Sequence, residues 1–187
     1  MKRVAIVGNI ASGKTAVENM LKNAGYKTIC ADNIVHKLYT EPKVQDKIYD
    51  VFETIDRSEI ISVVFADNAK KQELESILHP LVKEKLIEFF KENEKEKLTF
   101  ASVPLLFEAK MQNLFDYIVF VSSEINIRLN RLMKRNNLSE NDAMVRIKAQ
   151  MPEDVKIPKS HFVIENNSDL ATLKNNLQKV LDKLNED

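Results

Sequence analysis

The strongest constraint on the fold is a loop near the N-terminus. Residues 8–15 read Gly-Asn-Ile-Ala-Ser-Gly-Lys-Thr and follow an apolar run at residues 4–7, which fits the P-loop pattern G-x-x-x-x-G-K-[ST] after a buried strand. The chain has only three glycines, and two of them occupy the glycine positions of the pattern. In such a loop, backbone N–H groups point at phosphate oxygens and the next helix adds the positive potential of its N-terminus. The sequence therefore predicts a nucleoside triphosphate site on a strand–loop–helix unit.

Individual loop residues have predicted roles. Lys14 is expected to reach the β- and γ-phosphates of ATP, and the Thr15 hydroxyl is expected to bind Mg²⁺. The rest of the loop is expected to surround the phosphates with its backbone. The predicted cofactor-binding residues are Gly8, Asn9, Ile10, Ala11, Ser12, Gly13, Lys14, Thr15 and Ala16.

Strand and helix patterns alternate along the rest of the chain. Short runs of apolar and β-branched residues predict strands at residues 4–7, 28–31, 98–103, 117–121 and 162–164. Helical patterns follow them. This alternation predicts an α/β fold, with a three-layer P-loop NTPase core around a parallel sheet of about five strands.

Several residues mark helix ends. Gly25 is expected to end the first helix, and Ser139 is expected to cap a helix late in the chain. A long central helix begins after Asp67, and Pro80 should kink or restart it. Either residue 167 or residue 168, an Asn and a Ser, is expected to cap the last helix.

Composition excludes several classes of protein. The 28 Lys and Arg residues balance the 28 Asp and Glu residues, so no net charge favours nucleic acid or an anionic membrane as a partner. The single cysteine, Cys30, excludes an intrachain disulfide and a four-cysteine zinc site. Without a signal-peptide pattern or a run of about 18 apolar residues, we expect a cytoplasmic protein that acts on a small molecule. The sequence predicts no oligomeric state.

Candidate residues outside the loop each have two interpretations. Asp32 follows the second predicted strand, at the sheet edge where ligands bind, so it could orient an acceptor hydroxyl or cap a helix. Arg128, Arg131 and Arg135 share one helix face, where they could clamp phosphates or form a solvated basic surface. His79 before the proline could simply satisfy backbone groups that the proline frees. The residues alone leave these alternatives open.

The type of P-loop protein is narrowed by motifs that are missing. The sequence has no N-K-x-D motif for reading guanine, and no apolar strand that ends in Asp-Glu as in many ATP-driven motors. An acidic residue after the second strand, a helical middle and a late arginine-bearing helix pair favour a nucleotide-type kinase. A kinase for another nucleoside or nucleotide, and a nucleotide-binding regulator without catalysis, are the alternatives.

Five segments outside the loop carry further motifs. They read C-A-D-N-I-V-H at 30–36, L-E-x-x-L-H-P at 74–80 after Phe65, V-P-L-L-F-E at 103–108, R-x-x-x-R at 131–135 with R-I-x-x-Q-M at 146–151, and V-I-x-N-N at 163–167. In this order the motifs resemble those of the dephospho-CoA kinase family, the last enzyme of coenzyme A synthesis. The resemblance extends over nearly the whole chain.

The resemblance implies phosphorylation of the ribose 3′-hydroxyl of dephospho-coenzyme A by ATP with Mg²⁺, giving coenzyme A and ADP. It implies that Lys14, Asp32 and Arg135 are catalytic, that Arg131 and Arg135 approach the phosphates, and that Asn166 lies near the ATP base. The implied acceptor-binding residues are Asp32, His79, Pro80, Leu105, Leu106, Phe107 and Glu108. Within one kinase domain, 1–187, we expect a core at about 1–32, 96–123 and 153–187, an acceptor subdomain at about 33–95 and a lid at about 124–152.

The chain departs from the family pattern at several positions. The family loop usually reads G-G-I-G-S-G-K-[ST], and Asn9 and Ala11 replace two of its glycines. Because alanine adopts a left-handed backbone only at a cost, the loop is expected to take a conformation that Ala11 tolerates. Cys30 and His161 stand where the family often has aspartates, and the chain looks shorter between residues 51 and 56.

Overall fold

Five strands form the sheet. They are β1 (Lys2–Val7), β2 (Lys27–Cys30), β3 (Leu98–Ser102), β4 (Tyr117–Ser122) and β5 (Phe162–Glu165). Their spatial order is β2-β3-β1-β4-β5, and β1 pairs in parallel with both β3 and β4, while β4 pairs in parallel with β5. The predicted α/β fold with a parallel sheet is confirmed.

The helices account for most of the remaining chain. The structure, a computed structural model, describes residues 1–186. Its helices are α1 (Lys14–Asn23), α2 (Ala31–Leu38), α3 (Pro42–Phe52), α4 (Arg57–Ala66), α5 (Asn68–Glu92), α6 (Ile125–Asn136), α7 (Glu140–Lys148), α8 (Glu153–Lys156) and α9 (Leu170–Glu186). No helix within these residues is both long enough and apolar enough to cross a lipid bilayer.

Contacts divide the chain into two units. The core unit contains residues 1–29 and the chain from residue 93 onward, and the helical unit contains Cys30–Glu92. In the helical unit, α5 packs against α2, α3 and α4. Asp56 caps α4 by accepting hydrogen bonds from two backbone N–H groups, and Asp67 does the same for α5, as predicted.

The hydrophobic centre of the core unit lies on one face of the sheet. Side chains of β1, β3, β4 and β5 pack there against α1 and α9. The apolar stripe of α9 is fully or almost fully buried; its members are Leu173, Leu177, Val180, Leu181 and Leu184. Because β1 is buried over its last four residues, the loop that follows it starts from a rigid base.

Four local predictions can be compared with the helix ends. Gly25 ends α1 with φ 88°, and Ser139 caps α7, as expected. The last helix is capped instead by Asp169, which accepts a hydrogen bond from the Thr172 N–H at 2.8 Å, so the prediction of residue 167 or 168 is wrong. The long helix α5 continues through Pro80 without a restart.

A helix was also expected after each of the strands β3 and β4. After β3 the chain forms turns and a short 3-10 helix, Gln112–Leu114, rather than an α-helix. The segment is fixed to the core by Met111, Leu114 and Phe115, which are buried. The expectation therefore holds for β4, which α6 follows, and is wrong for β3.

Candidate active site

The P-loop wraps tightly between β1 and α1. The Ser12 N–H donates to the Asn9 carbonyl at 3.1 Å, which closes a turn at the start of the loop. Gly13 precedes α1 with φ 103°, and its carbonyl accepts from the N–H groups of Ala16 and Val17 at 3.0 and 3.2 Å. The loop therefore leads directly into the helix N-terminus, as the motif requires.

Donors within the loop remain open towards a ligand. The N–H groups of Gly13 and Thr15 make no hydrogen bond to any other group within residues 1–186. The Lys14 ammonium group lies over the loop and donates to the Gly8 carbonyl at 2.7 Å. The Thr15 side chain is exposed at the first turn of α1. This set of donors matches the needs of a phosphate chain.

Asn166 supports the loop from below. It is 6 % exposed at the end of β5, and its amide nitrogen donates to the Ser12 carbonyl at 2.7 Å. Its side-chain oxygen accepts from Arg131 at 3.4 Å, and Arg131 also donates to the Asn166 carbonyl at 3.1 Å and to the Ser123 hydroxyl at 3.3 Å. Arg131 of α6, Asn166 directly after β5, and the loop are thus linked by continuous hydrogen bonds.

Asn166 also explains the glycine at position 13. A β-carbon built on Gly13 would overlap the amide nitrogen of Asn166, and the positive φ there disfavours any other residue. Gly13 is therefore required twice, by its backbone conformation and by the side chain beneath it.

The three arginines of α6 lie in different environments. Arg128 is 6 % exposed, and its Nε lies 3.5 Å from the Glu153 carboxylate, which also accepts from the Ser122 hydroxyl at 2.7 Å. Arg131 is half-buried, and Arg135 is exposed and donates to the Asn136 side chain at 2.9 Å. The interpretation that the three arginines form one solvated basic surface is therefore wrong, because Arg128 is buried and Arg131 contacts the residue that supports the loop.

The V-P-L-L-F-E motif follows β3 and turns back into the core unit. Leu106 and Phe107 are buried, whereas Leu105 is 43 % exposed. Glu108 forms an ion pair with Lys156 at 2.7 Å, and Lys156 is completely buried. Among the four residues of this motif expected on the acceptor side, Leu105 and Glu108 keep part of their surface accessible.

Three of the predicted site residues belong to the helical unit. Asp32 lies exposed in the first turn of α2, whose N-cap is Cys30, so the interpretation of Asp32 as the helix cap is wrong. A carboxylate in the first turn of a helix is stabilised by the helix dipole. His79 is half-buried and Pro80 is exposed, and both lie within α5.

Comparisons with known proteins identify the family. The family model of dephospho-CoA kinase matches residues 2–172. A dephospho-CoA kinase of Rickettsia typhi is 33 % identical over 187 residues, which is 98 % of both chains. The chain belongs to the dephospho-CoA kinase family. The predictions of this family, of a kinase as the enzyme class and of its place in coenzyme A biosynthesis are confirmed.

Solved structures agree with this assignment. A Thermus thermophilus protein superposes with a TM-score of 0.85 at 29 % identity, covering 98 % of this chain and 97 % of its own. A dephospho-CoA kinase from Campylobacter jejuni gives a TM-score of 0.72 at 27 % identity over the same shares. Kinases use a nucleotide as phosphoryl donor, so family membership also establishes nucleotide use and a small-molecule acceptor in general terms.

One departure from the dephospho-CoA kinase pattern, Ala11, lies at a position of the loop with a left-handed backbone. Ala11 has φ 62°, a left-handed conformation in the third position of the turn that Ser12 closes. A glycine is ordinarily needed there because φ is positive, and a left-handed residue with a β-carbon costs about 1–2 kcal/mol. The expectation that the loop takes a conformation Ala11 tolerates is therefore wrong: the backbone is left-handed there, and Ala11 carries strain.

Two further departures, His161 and Cys30, stand where the family often has carboxylates, and they differ in what they supply. His161 Nδ1 accepts a hydrogen bond from the Ile118 N–H at 3.0 Å, and the His161 N–H donates to the Ile118 carbonyl at 2.8 Å. The imidazole thus supplies an acceptor where the family often has an aspartate. Cys30 occupies the N-cap of α2 and makes no side-chain cap there, so this helix start lacks the capping oxygen that an aspartate would offer.

Contacts to the loop that the sequence did not assign come from the chain after α7. Gln150 Oε1 accepts a hydrogen bond from the Ile10 N–H at 2.6 Å, and the Met151 carbonyl accepts from the Asn9 side chain at 3.1 Å. Gln150 and Met151 stood within a recognised family motif, but no pattern within the sequence links them to a loop about 140 residues earlier. The motif itself was the one signal that could have drawn attention to them.

Proposed function

We propose that the protein transfers the γ-phosphoryl group of ATP to the ribose 3′-hydroxyl of dephospho-coenzyme A, giving coenzyme A and ADP. The observation that carries this proposal is a complete P-loop in a chain of the dephospho-CoA kinase family. Phosphoryl transfer passes through a loose transition state, so positioning and charge stabilisation supply most of the catalysis. The roles of the residues follow from that requirement.

The loop would bind the triphosphate of ATP. The open N–H groups of Gly13 and Thr15 and the N-terminus of α1 would bind phosphate oxygens, and Lys14 would turn from the Gly8 carbonyl to the β- and γ-phosphates. Residues 8–16 would together surround the phosphates. In this position the lysine would balance negative charge that develops during transfer.

Mg²⁺ would be held largely by the nucleotide. Within residues 1–186, no three His, Cys, Asp or Glu side chains cluster in a way that could hold a metal ion. The exposed Thr15 hydroxyl at the start of α1 fits a site in which Mg²⁺ takes one protein oxygen and several phosphate and water oxygens. When bound, the ion would neutralise phosphate charge.

The base of ATP has a candidate place in the core unit. A cavity of about 470 Å³ lies beside the loop, lined among others by Asn9, Ser123, Arg128, Gln150 and Asn167. Asn166, which the resemblance places near the base, is the neighbour of Asn167 and contacts the loop directly. We therefore propose that Asn166 supports the loop next to the base of ATP. Arg131 and Arg135 would bind the phosphates.

On the acceptor side, Asp32 would orient the 3′-hydroxyl and accept its proton as the phosphoryl group arrives. The acceptor subdomain at about 33–95 and the lid at about 124–152 remain the proposed divisions of the chain. His79, Pro80 and the segment Leu105, Leu106, Phe107 and Glu108 would line the acceptor. The buried side chains of Leu106 and Phe107 would shape that surface by holding the turn in place. The cytoplasmic location stays a prediction.

The decisive experiment measures ADP formation with Mg²⁺, ATP and a panel of acceptors. We expect turnover with dephospho-coenzyme A and little with other nucleosides and nucleotides. Asp32→Asn should lower kcat at least about 100-fold, the lower range for a general base, and leave ATP affinity nearly unchanged. Asp46→Asn, an exposed carboxylate of α3, is the matched control. A folded protein without turnover would refute the function, and equal kcat in Asp32→Asn would refute the role of Asp32.

A further inference from the structure

The P-loop is held from outside by the segment that follows α7. The backbone N–H of Ile10 donates a hydrogen bond to the side-chain oxygen of Gln150. The side-chain amide of Asn9 donates one to the carbonyl of Met151. Two successive loop residues are thus bonded to two successive residues of this segment. One bond holds the loop backbone at Ile10 and the other holds the side chain of Asn9, so the loop is attached to this segment at two points.

Apolar packing extends the same contact. Leu129 and Leu132 of α6 and Ala143 and Ile147 of α7 form a buried cluster. Ile10 and Ala11 pack against that cluster, so the turn of the loop is part of the hydrophobic centre of the α6–α7 pair. A shift of α6 and α7 must therefore either carry the loop along or break these contacts.

The hydrogen bond to Gln150 involves a backbone N–H group of the phosphate-binding loop. Each backbone N–H is a single donor, and the Ile10 N–H is committed to the Gln150 oxygen. That commitment holds the Asn9–Ile10 peptide plane within the turn that contains the left-handed backbone of Ala11. Because alanine resists this conformation, the loop depends on support from outside more than a glycine-rich loop would.

We propose that Gln150 is a positioning residue for the phosphoryl donor, coupling the α6–α7 pair to the conformation of the P-loop. Its side-chain oxygen holds the Ile10 N–H and thereby presets the loop for the phosphates of ATP. This inference rests on the proposed function only in taking ATP as the ligand of the loop. Gln150 also lines the cavity proposed for the base of ATP, so the protection of the Ile10 amide in protein without nucleotide is the readout that shows its action through the loop.

A purely structural role would have a different signature. If the oxygen only satisfied a buried donor, its loss would lower stability and leave nucleotide affinity and the loop conformation of the folded protein unchanged. A positioning role instead raises the Kd of ATP in protein that remains folded. It also leaves the KM of the acceptor unaffected.

The test compares four variants with the natural protein. Gln150→Met keeps the length of the side chain and removes the oxygen, Gln150→Asn withdraws the oxygen by one methylene, and Gln150→Glu keeps it. Gln178→Met, on the exposed face of α9, is the matched control. The readouts are hydrogen exchange of the Ile10 amide by NMR, the Kd of ATP with Mg²⁺ by calorimetry without acceptor, and the KM of dephospho-coenzyme A.

In Gln150→Met and Gln150→Asn we expect the Ile10 amide to lose its protection and the Kd of ATP to rise about 3- to 10-fold, as for one hydrogen bond. Gln150→Glu should keep the protection, and Gln178→Met should behave like the natural protein. Unchanged protection or unchanged Kd in both loss variants overturns the inference. Failure of the natural protein to bind ATP at all would instead overturn the proposed function, so the two failures are distinguishable.

Discussion

Breaking the ion pair between Lys156 and Glu108 should destabilise the protein more than any exposed charge change. The Lys156 ammonium group is completely buried and lies 2.7 Å from a Glu108 carboxylate oxygen. Replacing Lys156 by Met keeps the stem of the side chain and removes its charge. The Glu108 oxygens are themselves buried, and within residues 1–186 no group other than Lys156 pairs with them, so the carboxylate would remain without a cation.

The expected size follows from the cost of an uncompensated buried charge. Removing one partner of a buried pair costs about 3–5 kcal/mol, and the 27 % exposure of the Glu108 side chain places this case near the lower limit, about 3 kcal/mol. For a domain of this length, 1 kcal/mol corresponds to about 2–4 °C in Tm, so Lys156→Met should lower Tm by about 6–12 °C.

A second substitution separates the contribution of the ion pair to stability from that of the packing of the lysine side chain. Glu108→Gln in the Lys156→Met background removes the orphaned charge and should restore at least about half of the lost stability, because the two residues are directly coupled. Lys159→Met, exposed in the same segment, is the control. Urea unfolding followed by circular dichroism measures each variant. A loss no larger than that of the control, or no recovery in the double variant, would refute the reasoning.

Two further predictions concern the loop and the opposite end of the sheet. Ala11→Gly should relieve left-handed strain of about 1–2 kcal/mol. It should also cost about 0.4–1 kcal/mol through greater entropy of the unfolded chain and lose a packed methyl group, so the urea midpoint of unfolding should rise slightly or stay level. A clear fall of the midpoint would contradict the strain at Ala11. The side-chain hydrogen bond from Arg3 lowers the pKa of Asp116 in this partly exposed pair. The pair therefore stabilises the folded protein above the pKa of an unfolded aspartate, about 3.9, and this stabilisation is lost as pH falls through the pKa of Asp116 in the folded protein. Asp116→Asn should therefore cost at most about 1 kcal/mol at pH 7. The difference from the natural protein should shrink as pH falls through the lowered pKa of Asp116, and a difference that does not decrease in acid would contradict the prediction.

The sheet and the donor loop could be predicted because their signals are local. Continuous apolar runs are typical of buried parallel strands, and all five predicted strands overlap the observed ones. The loop at residues 8–15 carries its chemistry within eight consecutive residues. Such features need no knowledge of distant partners.

The cap of α9 and the buried charges could not be predicted because they depend on the path of the folded chain. The cap of α9 was missed because residues 167, 168 and 169 are all polar capping types, and only the path of the chain selects Asp169. The burial of Arg128 depends on Glu153, and the burial of Lys156 depends on Glu108. A charged side chain looks like a surface residue until its partner is known, and the sequence does not show which distant charges meet.

The overlap between a side chain at position 13 and Asn166 has a consequence for sequence variation. Position 13 and position 166 share one volume, although 152 residues separate them along the chain. A library that varies only position 13 should recover glycine almost unchanged. A smaller residue at position 166 would free the shared volume but not change the φ of 103° at position 13, so a library that varies both positions should still recover glycine there.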